Sequence, residues 1–433
     1  MLEISAVSAG KWTRRVAGSM LSAIGLIVFM FLDFWDIVLC TFYSFMDKIM
    51  EANTSPCYCQ NRGNYVSGDR ENEVSETLYG RKNVFRDLGV LKFRRNLKNS
   101  PKMGSLMVNR WSDCACESCI SWQQNEDQKL HLVLREPSQA INEGCRGKPS
   151  EDVIFLHGFI SSSSLWAETV FPNLSEPVKQ KCRLFAIDLL GFGRSPKPRD
   201  CLYTLKDHLN MIEKSVVHPF QLNSFHLVAH SMGCIIALAL AAKYSESVKS
   251  ITLIAPPYFP SSKENASSTV LNRLAERRLW PPLLFGSSVM SWYEHVGRSV
   301  CFLICRNHRT WEWILKLLTR RRDLHFTVLD LTRHTHHSAW HTMHNVICGG
   351  AKLFDEYLEA MKKSGTILNV IQGDRDQVVP LECSHNIKVK VPHADVKIIC
   401  NADHNTVILG RGKELTRDLE QIWLSSFENH KQR

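Results

Sequence analysis

The sequence lacks an internal repeat and a recognisable nucleic-acid-binding module. Its 433 residues carry a net charge of +10, but the basic clusters at residues 92–98, 277–278 and 320–322 are scattered along the chain. Because scattered clusters do not form the continuous basic face that a nucleic-acid-binding domain needs, we expect no nucleic-acid partner. The positive charge instead favours contact with anionic surfaces such as lipid headgroups or acidic polysaccharides.

A complete set of metal ligands is also missing from any local stretch of sequence. Three cysteines stand close together: Cys114, Cys116 and Cys119. No fourth ligand follows them at the spacing of a zinc site. We therefore favour disulfides between these cysteines and Cys57, Cys59 or Cys145, and metal binding remains the alternative.

Four histidines recur at helical spacing: His334, His337, His341 and His344. They would share one face of a helix, but no carboxylate stands between them at the spacing of a metalloprotease. We interpret them as groups that hydrogen-bond to substrate or to the protein. The predicted site contains no metal and no cofactor.

The chain begins with a long apolar segment. Residues 16–32 carry no charge, follow three basic residues within 11–15, and precede Asp33 and Asp36. This run is near the lower limit for a membrane span, about 17 residues, and its flanking charges favour export of the body of the protein. We favour an uncleaved signal anchor; a cleaved signal peptide and an interfacial or buried helix remain open. Three N-x-[S/T] sequons agree with export: Asn53, Asn173 and Asn265.

Composition divides the chain into five parts. An apolar segment at 1–50 and a polar extension at 51–125 precede an α/β core in two parts, 126–257 and 346–433. The core is interrupted by a helical, aromatic-rich lid at 258–345. Such a lid suits a long apolar acyl chain, although aromatic residues also pack a lid against a core.

The strongest chemical signal is a serine between a predicted strand and a predicted helix. The apolar run 225–228 precedes Ala229-His230-Ser231-Met232-Gly233, and the small-residue run 234–242 follows. This context is typical of a nucleophile elbow, in which small residues two positions on either side of the serine allow a sharp turn. We predict Ser231 as a catalytic nucleophile.

An acid and a base follow in the order that such folds use, serine, then acid, then histidine. Asp376 comes after the predicted strand 366–371, and His404 comes after the predicted strand 396–399. Each lies just past the carboxyl end of a strand, where an α/β sheet places its chemistry. We predict Asp376 and His404 as the partners of Ser231, with Asp374 as the alternative acid.

Two backbone donors are expected to bind the oxyanion of the intermediate. The first is the N–H of Met232, directly after the nucleophile. The second is the N–H of Phe159, in the loop after the predicted strand 152–156, where Gly158 permits close approach. His157 and His230 are predicted to lie beside the site, His157 as a support of the loop, a pocket-lining group or a buried core histidine.

Five motifs resemble those of the α/β-hydrolase superfamily: residues 157–159 (HGF), 188–196 (DLLGFGRSP), 230–233 (HSMG), 373–376 (GDRD) and 403–404 (DH). The resemblance is closer to the plant BODYGUARD group of lysophospholipase-like and cutin-related hydrolases. It rests on the apolar N-terminus and on residues 57–59 (CYC), 76–79 (ETLY), 334–342 (HTHHSAWHT) and 374–380 (DRDQVVP).

The resemblance implies a mostly parallel sheet with helices on both faces, a helical lid and a Ser231–His404–Asp376 triad. It also implies the secretory pathway, a cell-membrane or cell-wall location, and a role in the plant cuticle. The residues themselves predict acyl transfer from a lipid or other acyl ester. A transacylase and a non-catalytic ligand receptor remain alternatives, whereas epoxide hydrolases and dehalogenases are disfavoured because they place Asp where Ser231 stands. The oligomeric state stays open.

Overall fold

The computed structural model describes residues 2–51, 58, 74–89, 110–123, 128–138 and 151–430. Its centre is a seven-stranded sheet in the order β1-β3-β2-β4-β5-β6-β7. The strands are β1 (Leu132–Arg135), β2 (Glu151–Leu156), β3 (Cys182–Ile187), β4 (Phe225–His230), β5 (Val248–Ile254), β6 (Ile367–Gly373) and β7 (Asp395–Ile399). Only β1, at one edge, runs antiparallel to its neighbour, and the other pairs are parallel.

Sixteen α-helices surround this sheet in the described ranges. They are α1 (Leu2–Glu51), α2 (Val84–Asp87), α3 (Glu117–Gln123), α4 (Ser164–Thr169), α5 (Glu176–Lys181), α6 (Leu205–Ile212), α7 (Met232–Lys243), α8 (Ala266–Leu274), α9 (Pro282–Trp292), α10 (Glu294–Leu303), α11 (His308–Thr319), α12 (Phe326–Asp330), α13 (His336–Thr342), α14 (Gly349–Ser364), α15 (Leu381–Lys390) and α16 (Gly412–His430). Short 3-10 turns lie at Glu76–Leu78 and Phe171–Asn173, and π-helical turns lie at Glu213–Val217 and Met343–Cys348.

The sheet separates two hydrophobic layers, because successive side chains of a strand point to opposite faces. In β2, Ile154 and Leu156 join one layer, whereas Val153 and Phe155 join the other. The first layer includes α7, whose residues from Met232 to Ala241 are all buried. A helix that is apolar on every side belongs inside a protein, which explains the uninterrupted Ala- and Leu-rich sequence after Ser231.

Residues 258–345, which the sequence predicts to be the lid, follow β5 and contain α8 to α13. Its inward aromatic residues hold the N-terminal part of the chain: the rings of Phe285 and Phe29 lie 6.1 Å apart, and those of Phe302 and Trp111 lie 5.4 Å apart. Other aromatic side chains of the lid, such as Trp313, face outward. The described parts of 51–125 also pack here, since Arg81 is buried and forms an ion pair of 3.2 Å with Glu294.

Helix α1 is one continuous helix, and two of its acidic residues, Asp36 and Asp47, face the lid. Asp36 accepts a hydrogen bond of 2.9 Å from the backbone N–H of His295, and Asp47 pairs with Arg298 at 2.6 Å. Elsewhere on α1, apolar side chains such as Ile27 (67% exposed) face outward. From Met20 to Glu51 the helix is long and apolar enough to cross a membrane by length and composition.

The predicted α/β-hydrolase architecture is confirmed: a mostly parallel sheet, helices on both faces, a helical insertion and an apolar N-terminal helix. The sequence pattern does not show where the two acidic residues of the apolar run point. Asp33 and Asp36 interrupt the apolar run, yet both side chains are buried against protein. The charges therefore do not interrupt the exposed apolar face of α1.

Candidate active site

Ser231 lies at a sharp turn between β4 and α7. Its backbone has φ 51° and ψ −120°, a region that side-chain-bearing residues adopt only when the surrounding structure imposes it. The surrounding structure does so here, because the Ser231 N–H donates a 2.8 Å hydrogen bond to the carbonyl of Ile254 on β5. The turn therefore presents the hydroxyl at the carboxyl edge of the sheet.

Two glycines leave the space that this turn needs. A Cβ at Gly233 would lie 2.7 Å from the carbonyl oxygen of His157 and 2.8 Å from that of Leu156. A Cβ at Gly158 would lie 3.2 Å from the Cβ of Ser231. Gly233 is thus required because the backbone after β2 passes beside the serine turn.

The three predicted catalytic side chains lie together in one chain of hydrogen bonds. Nε2 of His404 is 3.0 Å from Oγ of Ser231, and Nδ1 of His404 is 2.7 Å from Oδ2 of Asp376. The carboxylate of Asp376 is fully buried, and the imidazole of His404 is 14% exposed. The arrangement gives the histidine an acceptor on one side and the serine hydroxyl on the other.

Besides His404, three N–H groups donate hydrogen bonds to the carboxylate of Asp376. Its Oδ1 accepts hydrogen bonds from the backbone N–H groups of Val378 (2.9 Å) and Val379 (2.8 Å). Its Oδ2 accepts a bond of 3.1 Å from Nε2 of Gln372. By contrast, the alternative acid Asp374 is exposed. Gln372, at the end of β6, was not found from the sequence, because a buried amide in a strand has no distinctive pattern.

The loop after β2 lies beside the serine and is fixed by His157. Nδ1 of His157 donates to the carbonyl of Gly158 at 2.7 Å, and Nε2 accepts from the N–H of Leu189 at 2.9 Å. Burial lowers the pKa of His157, which keeps the ring neutral and able to accept at Nε2. In a trans peptide the carbonyl and the next N–H point in opposite directions, so the N–H of Phe159 points away from His157.

Two more features shape the neighbourhood of Phe159. The next residue, Ile160, has φ 52°, a strained value of the kind that clusters at functional loops. The ring of Phe159 contacts that of Phe192 at 5.7 Å. Met232 begins α7, and the first N–H groups of a helix have no partner within the helix. Both residues therefore lie next to Ser231: Met232 follows it in the chain, and Phe159 follows Gly158, which approaches its Cβ.

His230 supports the loop that carries His404. Nε2 of His230 lies 3.0 Å from the backbone carbonyl of His404, and the two rings lie 4.8 Å apart. Burial, and then the neighbouring His404, lower the pKa of His230 to about 3. A neutral ring can donate one hydrogen bond to that carbonyl without adding a positive charge next to the imidazole of His404.

The DLLGFGRSP segment folds into a tight loop around Asp188. The carboxylate of Asp188 accepts from the N–H of Ser163 at 2.6 Å and from the N–H of Arg194 at 2.8 Å. Gly193 has φ +54°, and a Cβ there would lie 2.3 Å from the same carboxylate. The motif therefore positions Phe192 against Phe159. Among the described residues, we see no direct contact between this motif and Ser231 or His404.

The lid histidines bond to the protein. Nε2 of His337 donates to the carbonyl of Cys201 at 2.9 Å, and Nδ1 of His344 lies 3.0 Å from the hydroxyl of Thr77. Burial holds the pKa values of both histidines well below the ordinary range. His334 instead lies 3.6 Å from the sulfurs of Cys301 and Cys305.

No two cysteines of the described ranges form a disulfide with each other. Cys57, Cys59 and Cys145 lie outside those ranges, so the predicted disulfides to them stay predictions. The cysteines of residues 114–119 lie beside His308 of the lid. This histidine was not found as a neighbour from the sequence, because it stands 189 residues beyond Cys119.

The comparison with known proteins agrees with the geometry. Residues 153–293 match the model of the α/β-hydrolase fold family. Three relatives are from Arabidopsis thaliana. "Probable lysophospholipase BODYGUARD 4" is 54% identical over 95% of this chain and 99% of its own length. "Probable lysophospholipase BODYGUARD 5" is 47% identical over 93% of this chain and 95% of its own length. "Probable lysophospholipase BODYGUARD 1" is 40% identical over 93% of this chain and 96% of its own length. This chain therefore belongs to the BODYGUARD family of α/β hydrolases.

Proposed function

We propose that this protein is a serine carboxylester hydrolase that cleaves the acyl esters of lipids, with lysophospholipids as the substrate class. The observation that carries the proposal is the hydrogen-bonded series from Ser231 through His404 to Asp376, with distances of 3.0 and 2.7 Å. A hydroxyl paired with an imidazole that a buried carboxylate orients is the arrangement that activates serine for attack on a carbonyl.

The proposed reaction proceeds in two acyl-transfer steps. Asp376 holds the proton of His404 on Nδ1, so Nε2 takes the Ser231 proton as the oxygen attacks the ester carbonyl. The negative oxygen of the tetrahedral intermediate accepts hydrogen bonds from the N–H groups of Phe159 and Met232. His404 then gives its proton to the leaving alcohol, and water repeats the sequence to release the fatty acid and free Ser231.

Two further observations support a lipid substrate. Relatives that share nearly the whole chain carry the name "Probable lysophospholipase". Phe159 and Phe192 place apolar rings at the loop beside the serine, and acyl chains bind in mostly apolar surroundings. We therefore assign the acyl group to this side of the site.

Labelling tests the nucleophile directly. The full-length chain is treated with a fluorophosphonate, the adduct is mapped by mass spectrometry, and hydrolysis of lysophosphatidylcholine is measured. Ser231→Ala should lose both the label and turnover, whereas Ser268→Ala, at an exposed serine of α8, should keep both. Turnover retained by folded Ser231→Ala would contradict the proposal, as would an adduct at another residue.

We also propose that α1 attaches the protein to a membrane through its exposed apolar face. Ile27 and Phe31 are 67% and 60% exposed. Leu279 of the lid lies near Gly25, and the next residue, Trp280, is also exposed. A large apolar surface of this kind on a helix favours insertion into the boundary between headgroups and acyl chains.

Vesicle binding tests the attachment. Flotation with vesicles of phosphatidylcholine alone, at high salt, removes the contribution of the net positive charge. The double variant Ile27→Glu with Phe31→Glu should leave the vesicle fraction, because charged side chains would then have to enter hydrocarbon. Val389→Glu, at an apolar residue of α15 that is 80% exposed, is the control. Equal vesicle binding by the wild type, the double variant and Val389→Glu would refute attachment through α1.

The family resemblance extends the proposal to location and biological role. We infer entry into the secretory pathway, action at the cell membrane or in the cell wall, and a contribution to the plant cuticle. The apolar helix α1 supports entry into the secretory pathway. Profiling of surface lipids and cutin monomers with and without the protein tests the last part, and unchanged profiles would remove it.

A further inference from the structure

The extension and the lid meet at a compact cluster of three thiols and one imidazole. The ligand atoms of Cys114, Cys116, Cys119 and His308 all lie within 4.8 Å of one another. Nε2 of His308 lies 3.5 Å from Sγ of Cys116 and 3.6 Å from Sγ of Cys119. His308 is buried, and the three cysteines are half-buried.

These distances match the edges of a zinc tetrahedron. With Zn–S bonds of about 2.3 Å and a Zn–N bond of about 2.0 Å, sulfur and nitrogen ligands of a tetrahedral site lie about 3.5 Å apart. Three thiolates and one imidazole form one of the standard structural zinc sites. Soft sulfur ligands in a tetrahedral set select zinc over the hard cations magnesium and calcium.

The carboxylate partner of His308 also favours a cation between these side chains. Nδ1 of His308 lies 3.0 Å from Oε1 of Glu312, a carboxylate one helical turn further along α11. Donation of the Nδ1 proton to that carboxylate leaves a single lone pair on Nε2, directed at the sulfurs. One lone pair cannot accept a thiol proton from two sulfurs at once, whereas it can bind a metal that the sulfurs share.

Glu312 corresponds to the outer partner that metal-bound histidines usually have. Two other groups would moderate the negative charge of metal-bound thiolates. The backbone N–H of Cys116 donates to Sγ of Cys114 at 3.4 Å. The buried ammonium of Lys197 lies near Cys119 and over the ring of Trp122, 5.5 Å from its centroid.

We propose that Cys114, Cys116, Cys119 and His308 bind one structural Zn²⁺ ion that ties the polar extension to the lid. The ion would join segments 189 residues apart in the chain. It would reinforce a junction in which Arg309 of α11 already donates to the hydroxyl of Ser118 at 3.0 Å. The nearby group of Cys301, Cys305 and His334 offers three ligands, one fewer than a closed structural site requires.

Zinc content of the full-length protein, purified under reducing conditions and equilibrated with Zn²⁺, tests the proposal. Cys116→Ser should contain one equivalent less per chain than the wild type, a difference that is independent of metal bound elsewhere. Cys400→Ser, at an exposed cysteine after β7, should keep the wild-type content. Glu312→Gln should weaken zinc binding by about 10–100-fold.

X-ray absorption on the wild type gives a readout that does not depend on any variant folding. We expect three sulfur ligands at about 2.3 Å and one nitrogen at about 2.0 Å, and four sulfur ligands in His308→Cys. Wild-type protein without bound zinc, a native disulfide within residues 114–119, or Cys116→Ser with undiminished zinc would each overturn the proposal.

Discussion

At the scale of single residues, the two acids of the GDRD motif have different surroundings. Asp376 is buried and accepts hydrogen bonds from His404, Gln372 and two backbone N–H groups. Asp374 stands two residues earlier and is exposed. Orientation of the imidazole therefore depends on Asp376, and the same substitution at the two positions separates their roles.

We expect Asp376→Asn to lower kcat by about 10⁴-fold, because an amide at this position favours the wrong tautomer of His404. Asp374→Asn should leave kcat within about two-fold of the wild type, since its side chain lies outside the hydrogen-bonded series. Steady-state hydrolysis of a short acyl ester measures both values. Similar losses in the two variants would contradict the assignment of Asp376.

At the scale of elements, helix α1 is fastened to the lid by buried charge. The guanidinium of Arg298 donates to both carboxylate oxygens of Asp47, at 2.8 and 2.6 Å, and both side chains are almost fully buried. The same guanidinium lies 4.3 Å from the ring centroid of Tyr43. Removal of one partner from such a pair leaves the other charge buried without compensation.

We expect Arg298→Met to destabilise the docking of α1 by about 3–5 kcal/mol. Lys263→Ala removes an ion pair with Glu356 that is exposed on both sides, and it should cost about 0–1 kcal/mol. Thermal unfolding and limited proteolysis of α1 in both variants measure the difference. Equal unfolding midpoints for the two variants would show that the buried pair does not hold the helix.

The same elements show what the sequence could and could not predict. The sequence predicts that Ser231, Asp376 and His404 meet, because each follows a strand and the carboxyl ends of parallel strands lie at one edge of the sheet. The partners of the acids in α1, and the approach of His308 to the cysteines, depend on the packing of segments far apart in the chain. Local spacing contains no signal for such contacts, which is why the fourth ligand was missed.

At the scale of the whole molecule, buried histidines make stability depend on pH. Burial lowers the pKa of His208 to about 4, and it lowers the pKa values of His230 and His341 to about 3. His295 behaves in the opposite way. Although burial alone would lower its pKa, the carboxylate of Asp36 raises it to about 10.

The signs of the two effects set the pH range of greatest stability. Below pH 6.5, the ordinary histidine value, the unfolded chain binds protons at residues that stay neutral in the folded protein, so stability falls as the pH falls towards 4. The contribution of His295 is complete below pH 6.5 and is lost as the pH rises through about 10. Both contributions are fully present only near pH 6.5.

His208 offers the clearest test of the acid branch, because neither of its ring nitrogens has a hydrogen-bond partner among the described residues. In the wild type, His208 binds a proton when the chain unfolds at acidic pH. We expect His208→Leu to abolish this proton binding without breaking a hydrogen bond. Between pH 6 and pH 4.5, approximately, the free energy of unfolding should then fall less steeply, by up to about 1.4 kcal/mol per pH unit. Urea denaturation across this range measures the slope. A slope equal to that of the wild type would mean that His208 is protonated in the folded protein as readily as in the unfolded chain.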